Sequence, residues 1–185
     1  MDKVADNPLF EIFEQNVARA PDAIAIADGD RRESFKELGA LSEKYARILQ
    51  SAAKRTEAQS PTVVLHLPKR LETYSLWLAC IRLGIVYAFS DPAAPGERTG
   101  ALIRQLKPAL VISEDPLSFD GCITLKELES APGAEGLEVV DVHPVNMNDP
   151  VYVMFTSGST GTPKGVTIPC IGILNLIRWA NLCPF

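Results

Sequence analysis

The sequence predicts an α/β protein in which a parallel-rich sheet is flanked by helices. Short β-branched apolar runs alternate with helical apolar patterns between residues 62 and 113, and Gly84, Pro92 and Pro108 separate the segments. Strands and helices that alternate in this way form parallel β-α-β units, whose crossovers are almost always right-handed. A chain of 185 residues with 46% hydrophobic and 22% charged residues is long enough for one domain with a core.

The N-terminal part predicts a hairpin followed by an amphipathic helix. The apolar run Ala23–Ala27 meets the turn residues 28–30 and then the segment RRESF. Ser34 and Glu37 have the spacing of a capping box, which starts a helix. The apolar residues that share one face of this helix are Leu38, Leu41, Tyr45, Ile48 and Leu49.

The middle of the chain supplies the alternating units. Strands are predicted at 62–67, 86–89 and 109–113. A helix at 72–83 ends before Gly84 and is apolar nearly all round, which is typical of a helix buried on both sides. A second helix covers 97–106. Cys80 and Trp77 are therefore expected in the core.

The C-terminal part is predicted to return to the sheet after an irregular segment. Residues 114–149 show little periodicity, although 137–142 has the pattern of a strand. A strand at 151–155 is followed by a glycine-rich turn and a possible hairpin partner at 166–168. A helix at 171–179 comes last, with Trp179 expected in the core.

Composition excludes several classes of function. The net charge of −5 shows no basic surface for nucleic acid, and Arg82 and Gly84 interrupt the longest apolar stretch before it could span a bilayer. The start has no secretory-signal pattern. The cysteines at 80, 122, 170 and 183 have no metal-clamp spacing, so we expect no metal site and a reducing, cytoplasmic setting.

A segment rich in glycine and hydroxyl residues follows the 151–155 strand. Glycines let backbone N–H groups approach an anion closely, hydroxyl groups add donors, and a lysine adds a positive charge. The composition suits a polyphosphate, although Pro163 before Lys164 and Gly165 after it exclude the common Gly-Lys-[Ser/Thr] nucleotide loop. A flexible surface turn is the alternative. The candidate phosphate-binding residues are Thr156, Ser157, Gly158, Ser159, Thr160, Gly161 and Lys164.

This segment resembles the phosphate-binding signature of the adenylate-forming (AMP-binding) enzyme superfamily, Tyr-Thr-Ser-Gly-Ser-Thr-Gly-x-Pro-Lys-Gly-Val. Residues 155–166 match it throughout, except that Phe155 replaces tyrosine. The stretch around Asp91-Pro92 and the pattern Asn-Leu-x-Arg-Trp at 175–179 are similar to adenylation domains of nonribosomal peptide synthetases. The resemblance implies the N-terminal portion of the adenylate-forming fold, with a partial adenylation domain at 8–180 and short tails at 1–7 and 181–185.

The resemblance also implies a function. The chain is expected to be an N-terminal fragment of an ATP-dependent amino-acid-adenylating ligase, with ATP and Mg²⁺ as cofactors. The amino acid or another carboxylate would be adenylated and then passed to the phosphopantetheine thiol of a carrier protein. The family's catalytic residues would lie beyond Phe185, so none is assignable and the chain alone is expected to be inactive. The alternatives are a fragment of an acyl- or aryl-CoA ligase and a non-catalytic nucleotide-binding or interaction module.

Other positions besides Phe155 also depart from the family pattern. Cys170 stands near the place of a common histidine, and Phe89-Ser90 replace the usual Pro-Leu before Asp91. Asp91 itself is expected to shape a proline-bounded turn, and His66 is expected to pack at a strand edge rather than to catalyse.

Overall fold

A computed structural model of the chain describes residues 7–53, 62–130, 141–156 and 164–182. Within these ranges helices and strands alternate along the chain. The helices are α1 (Pro8–Arg19), α2 (Phe35–Ala53), α3 (Leu71–Arg82), α4 (Gly96–Leu106), α5 (Leu125–Glu129) and α6 (Cys170–Leu182). The strands are β1 (Ile24–Asp28), β2 (Arg31–Ser34), β3 (Thr62–His66), β4 (Val86–Phe89), β5 (Leu110–Ser113), β6 (Cys122–Thr124), β7 (Pro150–Thr156) and β8 (Lys164–Pro169).

The main sheet has six strands in the order β6-β5-β3-β4-β7-β8. All neighbouring pairs are parallel except β7 and β8, which form an antiparallel hairpin. The predicted parallel-rich α/β sheet is therefore confirmed, as is the hairpin partner of the 151–155 strand. Because β3, β4, β5 and β7 are parallel, their carboxyl ends lie along one edge of the sheet, where such folds place ligands.

The N-terminal hairpin and its capping box are also confirmed. β1 pairs antiparallel with β2, and Gly29 adopts a φ of +59° in the turn between them, a conformation that favours glycine. Glu37 accepts hydrogen bonds from the backbone N–H and the hydroxyl of Ser34, and the Ser34 hydroxyl accepts one from the Glu37 N–H. These bonds satisfy donors that the first turn of α2 would otherwise leave open.

The two faces of the sheet carry two apolar clusters. Alternate residues of β3 point to opposite faces: Val63 and Leu65 join the larger cluster with α1, α2, α3 and α6, whereas Val64 joins the smaller one under α4. Most of α3 is buried, as its sequence predicts. Cys80 is fully buried, and this burial raises the pKa of its thiol to about 12.

Two regions hold structure that the sequence analysis did not predict. Asn7 and Pro8 begin α1 with a side-chain cap and a proline in the first turn, which is a recognisable start signal. Between 114 and 149, β6 adds a short parallel strand next to β5, and Thr124 caps α5 in a second capping box with Glu127. Most of the strand predicted at 137–142 lies outside the described residues, and 141–142 have no regular structure. No helix in the described ranges combines the length and hydrophobicity needed to cross a bilayer.

Asn7 fastens the N-terminal helix to distant parts of the chain. Its side chain is fully buried, and its Oδ1 accepts a hydrogen bond from the Phe10 N–H at 3.2 Å. Its Nδ2 donates to the carbonyl oxygens of Ile81, at 2.8 Å, and His143, at 3.0 Å. The Ile81 carbonyl lies in the last turn of α3, where helical carbonyls lack partners within their own helix.

Asn7→Ala is expected to lower the free energy of unfolding by about 2–4 kcal/mol. The substitution removes a helix cap and the donor to the buried Ile81 carbonyl and to the partly buried His143 carbonyl. Urea unfolding followed by circular dichroism measures the loss. Gln15→Ala, at an exposed position of the same helix, is the control and should change the free energy of unfolding by about 0.5 kcal/mol or less. Equal losses for the two variants would contradict the anchoring role of Asn7.

Candidate functional site

The β7–β8 hairpin brings Thr156 and Lys164 together. The two residues are partners in the antiparallel register, and both are exposed. The Thr156 hydroxyl donates to the Lys164 carbonyl oxygen at 3.5 Å, a long hydrogen bond. These two candidate phosphate-binding residues therefore form the last described pair at the end of the hairpin. The other five, Ser157, Gly158, Ser159, Thr160 and Gly161, lie outside the described residues.

Close packing explains the glycine that follows Lys164. A Cβ atom at Gly165 would lie 3.2 Å from the Phe155 ring and 3.2 Å from the Val153 side chain. Both distances are tighter than ordinary van der Waals contacts, so the Phe155 and Val153 side chains would have to shift by a few tenths of an ångström to admit a larger residue.

The hairpin ends at the carboxyl edge of the sheet. β4 pairs in parallel with β7 through Tyr87 and Tyr152, so the carboxyl ends of the two strands lie at the same edge. Ser90 is also at this edge, where its N–H donates to the Leu65 carbonyl oxygen of β3 at 3.0 Å. The ends of β3, β4 and β7 are adjacent, and neighbouring strands are about 4.8 Å apart.

A polar chain that the sequence analysis did not predict runs along this edge. His66 Nδ1 lies 3.0 Å from Ser90 Oγ, and Ser90 Oγ lies 3.5 Å from Thr99 Oγ1 of α4. Ser90 and Thr99 are buried, whereas His66 is partly exposed. These polar contacts connect the ends of β3 and β4 to α4. Its sequence signal is weak, because His66 and Ser90 each stand at a strand end and pairing them requires the sheet order.

Two effects act on the His66 imidazole in opposite directions. Partial burial lowers its pKa below the ordinary value of 6.5, and the nearby Asp91 carboxylate opposes this shift more weakly. Asp91 also shapes the turn after β4, because its Oδ1 accepts a hydrogen bond from the Ala93 N–H at 2.9 Å. The turn role predicted for Asp91 is confirmed. His66 lies at the end of β3, a central strand, and the expectation that it does not catalyse stays a prediction.

Cys170 occupies the start of α6 as a buried residue. Its N–H donates to the Asp149 carbonyl oxygen at 3.0 Å, and burial raises the pKa of its thiol. The residue that stands near the family's histidine position is therefore a neutral packing group in this chain.

The two tryptophans differ in their surroundings. Trp77 packs against the larger apolar cluster and meets the Tyr87 ring edge-on at a centroid distance of 6.3 Å. Trp179 is 54% exposed on α6, so the prediction that it lies in the core is wrong. Helical spacing identified an apolar side chain but not which side of the helix is covered.

Comparison with known proteins identifies the family. A model described as "AMP-binding enzyme" matches residues 13–184. The chain belongs to the AMP-binding enzyme family. This result confirms the resemblance carried by the signature at 155–166 and by the surrounding segments.

Relatives of this AMP-binding chain include peptide synthetases. The chain is 29% identical over 180 residues to a mycosubtilin synthase polypeptide from Bacillus subtilis, covering 95% of this chain and 7% of that protein. It is 30% identical over 183 residues to nonribosomal peptide synthetase 8 of Aspergillus fumigatus, covering 95% of this chain and 2% of that protein. The chain thus spans a small part of the length of these relatives.

A solved structure shares the fold. The N-terminal subdomain of NpsA from Klebsiella oxytoca, in complex with 3-hydroxybenzoyl-AMSN, superposes with a TM-score of 0.80 at 24% sequence identity. The match covers 91% of this chain and 42% of that chain. The described sheet and helices therefore correspond to part of an N-terminal subdomain of this fold.

His66 is expected to make the stability of the AMP-binding fold depend on pH. Because its pKa is lower in the folded state, the unfolded state binds more protons near pH 6, so the free energy of unfolding falls as the pH drops below 6.5. His66→Gln should flatten this fall between about pH 7 and pH 5, as measured by urea unfolding at a series of pH values. His143→Gln removes the other histidine, at an exposed position, and is the control. A fall that persists in His66→Gln but not in His143→Gln would contradict the assignment.

Proposed function

We propose that this chain provides the phosphate-binding part of an ATP-dependent ligase that adenylates the carboxylate of an amino acid. The observation that carries the proposal is the pairing of Thr156 with Lys164 where the β7–β8 hairpin meets the carboxyl edge of the sheet. Residues 157–163 of the family signature lie between these two residues, and α/β sheets bind their ligands at this edge.

The proposed chemistry is the attack of a carboxylate oxygen on the α-phosphorus of ATP. A bond forms between this oxygen and phosphorus as the bond to the bridging oxygen breaks, which gives an acyl-adenylate and pyrophosphate. Negative charge accumulates on the departing pyrophosphate. Donors that are already in place for this charge lower the barrier.

The candidate residues divide this work according to their chemistry. Lys164 supplies a mobile positive charge for the phosphate oxygens. Hydroxyl donors come from Thr156, Ser157, Ser159 and Thr160. Backbone N–H groups at Gly158 and Gly161 can approach the phosphates closely because glycine has no Cβ. The full proposed set is Thr156, Ser157, Gly158, Ser159, Thr160, Gly161 and Lys164.

Mg²⁺ is proposed to accompany ATP and to share the charge of its phosphates. In the described parts of the chain, no group of three His, Cys, Asp or Glu side chains could hold a metal ion. The positive charge proposed for the phosphates is that of Lys164.

The proposed acceptor of the acyl group is the phosphopantetheine thiol of a carrier protein. The similarity to a nonribosomal peptide synthetase supports an amino acid as the acid and a carrier as the partner. We propose a partial adenylation domain at 8–180. The cytoplasm is the proposed compartment, since Cys80, Cys122 and Cys170 are free thiols.

Lys164→Ala is expected to slow ATP–pyrophosphate exchange by about 100-fold or more in a polypeptide that joins this chain to the remaining segments of an adenylation domain. Removing one preorganised donor from a transition-state site has an effect of this size. Lys44→Ala, at an exposed position of α2, is the matched control and should exchange at the unaltered rate. Equal exchange rates for the two variants would refute the role of Lys164.

The 185-residue chain by itself is expected not to exchange pyrophosphate into ATP. It holds one candidate phosphate-binding segment, and the ribose, the base and the acid would need partners from elsewhere in the family's fold. Radiolabelled exchange with the purified chain, ATP and each common amino acid tests this. Exchange above a no-protein blank would overturn the expectation, whereas calorimetric binding of ATP without exchange would favour a nucleotide-binding module.

A further inference from the structure

The order of the strands creates a crevice between β3 and β5. β3 continues through α3 to β4 on one side, whereas β5 continues to β6 on the other side. All of these neighbouring pairs are parallel, so the chain leaves β3 and β5 in opposite directions at the same edge. Open α/β sheets bind their ligands outside the carboxyl ends of the strands at such a switch point. The β7–β8 hairpin lies elsewhere, because β4 separates β3 from β7.

A cavity of about 210 Å³ lies at this crevice. Leu67, Glu114 and Leu125 line it, and each is the first residue after a strand, namely β3, β5 and β6. Thr73 of α3 also lines the cavity, and both Thr73 and Leu67 are buried. Sites for drug-sized ligands have volumes of about 300–1,000 Å³, so this smaller cavity suits a small molecule. We call it the β3–β5 cavity.

Two contacts hold the β1–β2 hairpin against the β3–β5 cavity. Asp28 Oδ2 accepts a hydrogen bond from the Leu71 N–H at 3.2 Å, which satisfies a donor in the first turn of α3. Arg31 Nη1 donates to Glu72 Oε1 at 2.7 Å. The hairpin therefore places the Arg31 guanidinium at the cavity, although β2 does not belong to the main sheet.

Charged groups of both signs line the β3–β5 cavity. Besides Arg31 and Glu72, a second ion pair joins Arg70 Nη1 to Glu114 Oε1 at 2.7 Å. A guanidinium group has five N–H donors, and each of these two uses one of them in its described ion pair. The other N–H groups can donate to a ligand.

Glu129 adds a carboxylate whose charge is not balanced. Its Oε1 accepts a hydrogen bond from the Tyr45 hydroxyl at 2.6 Å, and no lysine or arginine in the described ranges forms an ion pair with it. Burial raises the pKa of the Tyr45 hydroxyl, so this donor is neutral and leaves the negative charge of Glu129 in place. The cavity thus combines one surplus carboxylate with the N–H donors of two guanidinium groups.

We propose that the β3–β5 cavity binds a small zwitterion, a molecule that carries an ammonium group and a carboxylate on an apolar body. The ammonium group binds Glu129. The carboxylate binds Arg31 and Arg70, because the planar guanidinium group matches a carboxylate with two parallel N–H donors. The apolar body contacts Leu67 and Leu125. A ligand with a single charge would leave one sign of the charge in the cavity without a partner.

This site goes beyond the proposed function. β3 and β7 are two strand spacings apart, which is about 10 Å, and β5 is one spacing further away. A carboxylate oxygen that reacts at the β7–β8 hairpin would have to lie within about 3.5 Å of the phosphorus. The zwitterion is therefore not the acid that is adenylated, and its binding requires neither ATP nor Lys164.

Isothermal titration calorimetry of the full 185-residue chain with L-leucine, in the absence of ATP, tests the site. We expect one bound molecule with a Kd of roughly 1 mM, which is typical of so few ligand atoms. 3-Methylbutylamine has the same apolar body without the carboxylate, and 4-methylpentanoate has it without the ammonium group. Each should bind about tenfold more weakly than L-leucine, because it loses the hydrogen bonds of one charged group.

Variants of the cavity separate the two charged contacts. Glu129→Gln removes the charge but keeps an acceptor for the Tyr45 hydroxyl, and Arg70→Gln changes a side chain that is 57% exposed. Each should raise the Kd of L-leucine about fivefold or more and leave the circular dichroism spectrum unchanged. Glu14→Gln and Arg19→Gln, at exposed positions of α1 outside the cavity, are the matched controls and should retain the affinity.

Several results would overturn the proposal. One is the absence of binding heat at L-leucine concentrations far above the expected Kd. Another is equal affinity for L-leucine and either singly charged analogue, which would assign the cavity to a simple cation or anion. A third is equal affinity of Glu129→Gln and Glu14→Gln.

Lys164→Ala separates this site from the proposed phosphate site. The variant should bind L-leucine with unaltered affinity, whatever its effect on pyrophosphate exchange, so the two proposals can fail independently. Loss of L-leucine binding in Lys164→Ala would place the molecule at the β7–β8 hairpin and would overturn its assignment to the β3–β5 cavity.

Discussion

The parallel pairing of β4 with β7 is the contact on which the placement of the site depends. This pairing joins the strands β6, β5, β3 and β4 to the β7–β8 hairpin. The polypeptide that connects β4 to β7 runs from residue 90 to residue 149. The Tyr87 and Tyr152 rings stack across this pair with centroids 5.2 Å apart and planes 22° apart. Without this pairing, Thr156 and Lys164 would not lie at the edge where β3 and β4 end.

Local patterns predicted the elements whose signals are complete within a short window. The capping box at Ser34 and Glu37, the turn at Gly29 and the β-branched run of β3 are of this kind. The three-residue strand β6 is different, because it is held by pairing with β5 rather than by its own composition. Asn7 and Pro8 are a start signal for α1 that the sequence contains, whereas the distant partners of Asn7 depend on the fold.

Part of the candidate site could likewise be predicted from local sequence, and part depends on the fold. The signature identified Thr156 and Lys164 by residue type and order, and the hairpin register brings them together. The series of polar contacts from His66 through Ser90 to Thr99 was not predictable. Its residues belong to or follow two strands and a helix, and these elements become neighbours only through the sheet order. The exposure of Trp179 was also not predictable, because periodicity reports that a helix side is apolar and not what lies against it.

The hydrogen bonds of the Asn7 side chain have a consequence for folding during synthesis. Its two carbonyl partners lie 74 and 136 residues further along the chain. At the usual elongation rates, the second partner leaves the ribosome about 7–27 s after Asn7. Ile81 leaves the ribosome before His143, so α1 gains its hydrogen bond to α3 before its hydrogen bond to the segment that precedes β7.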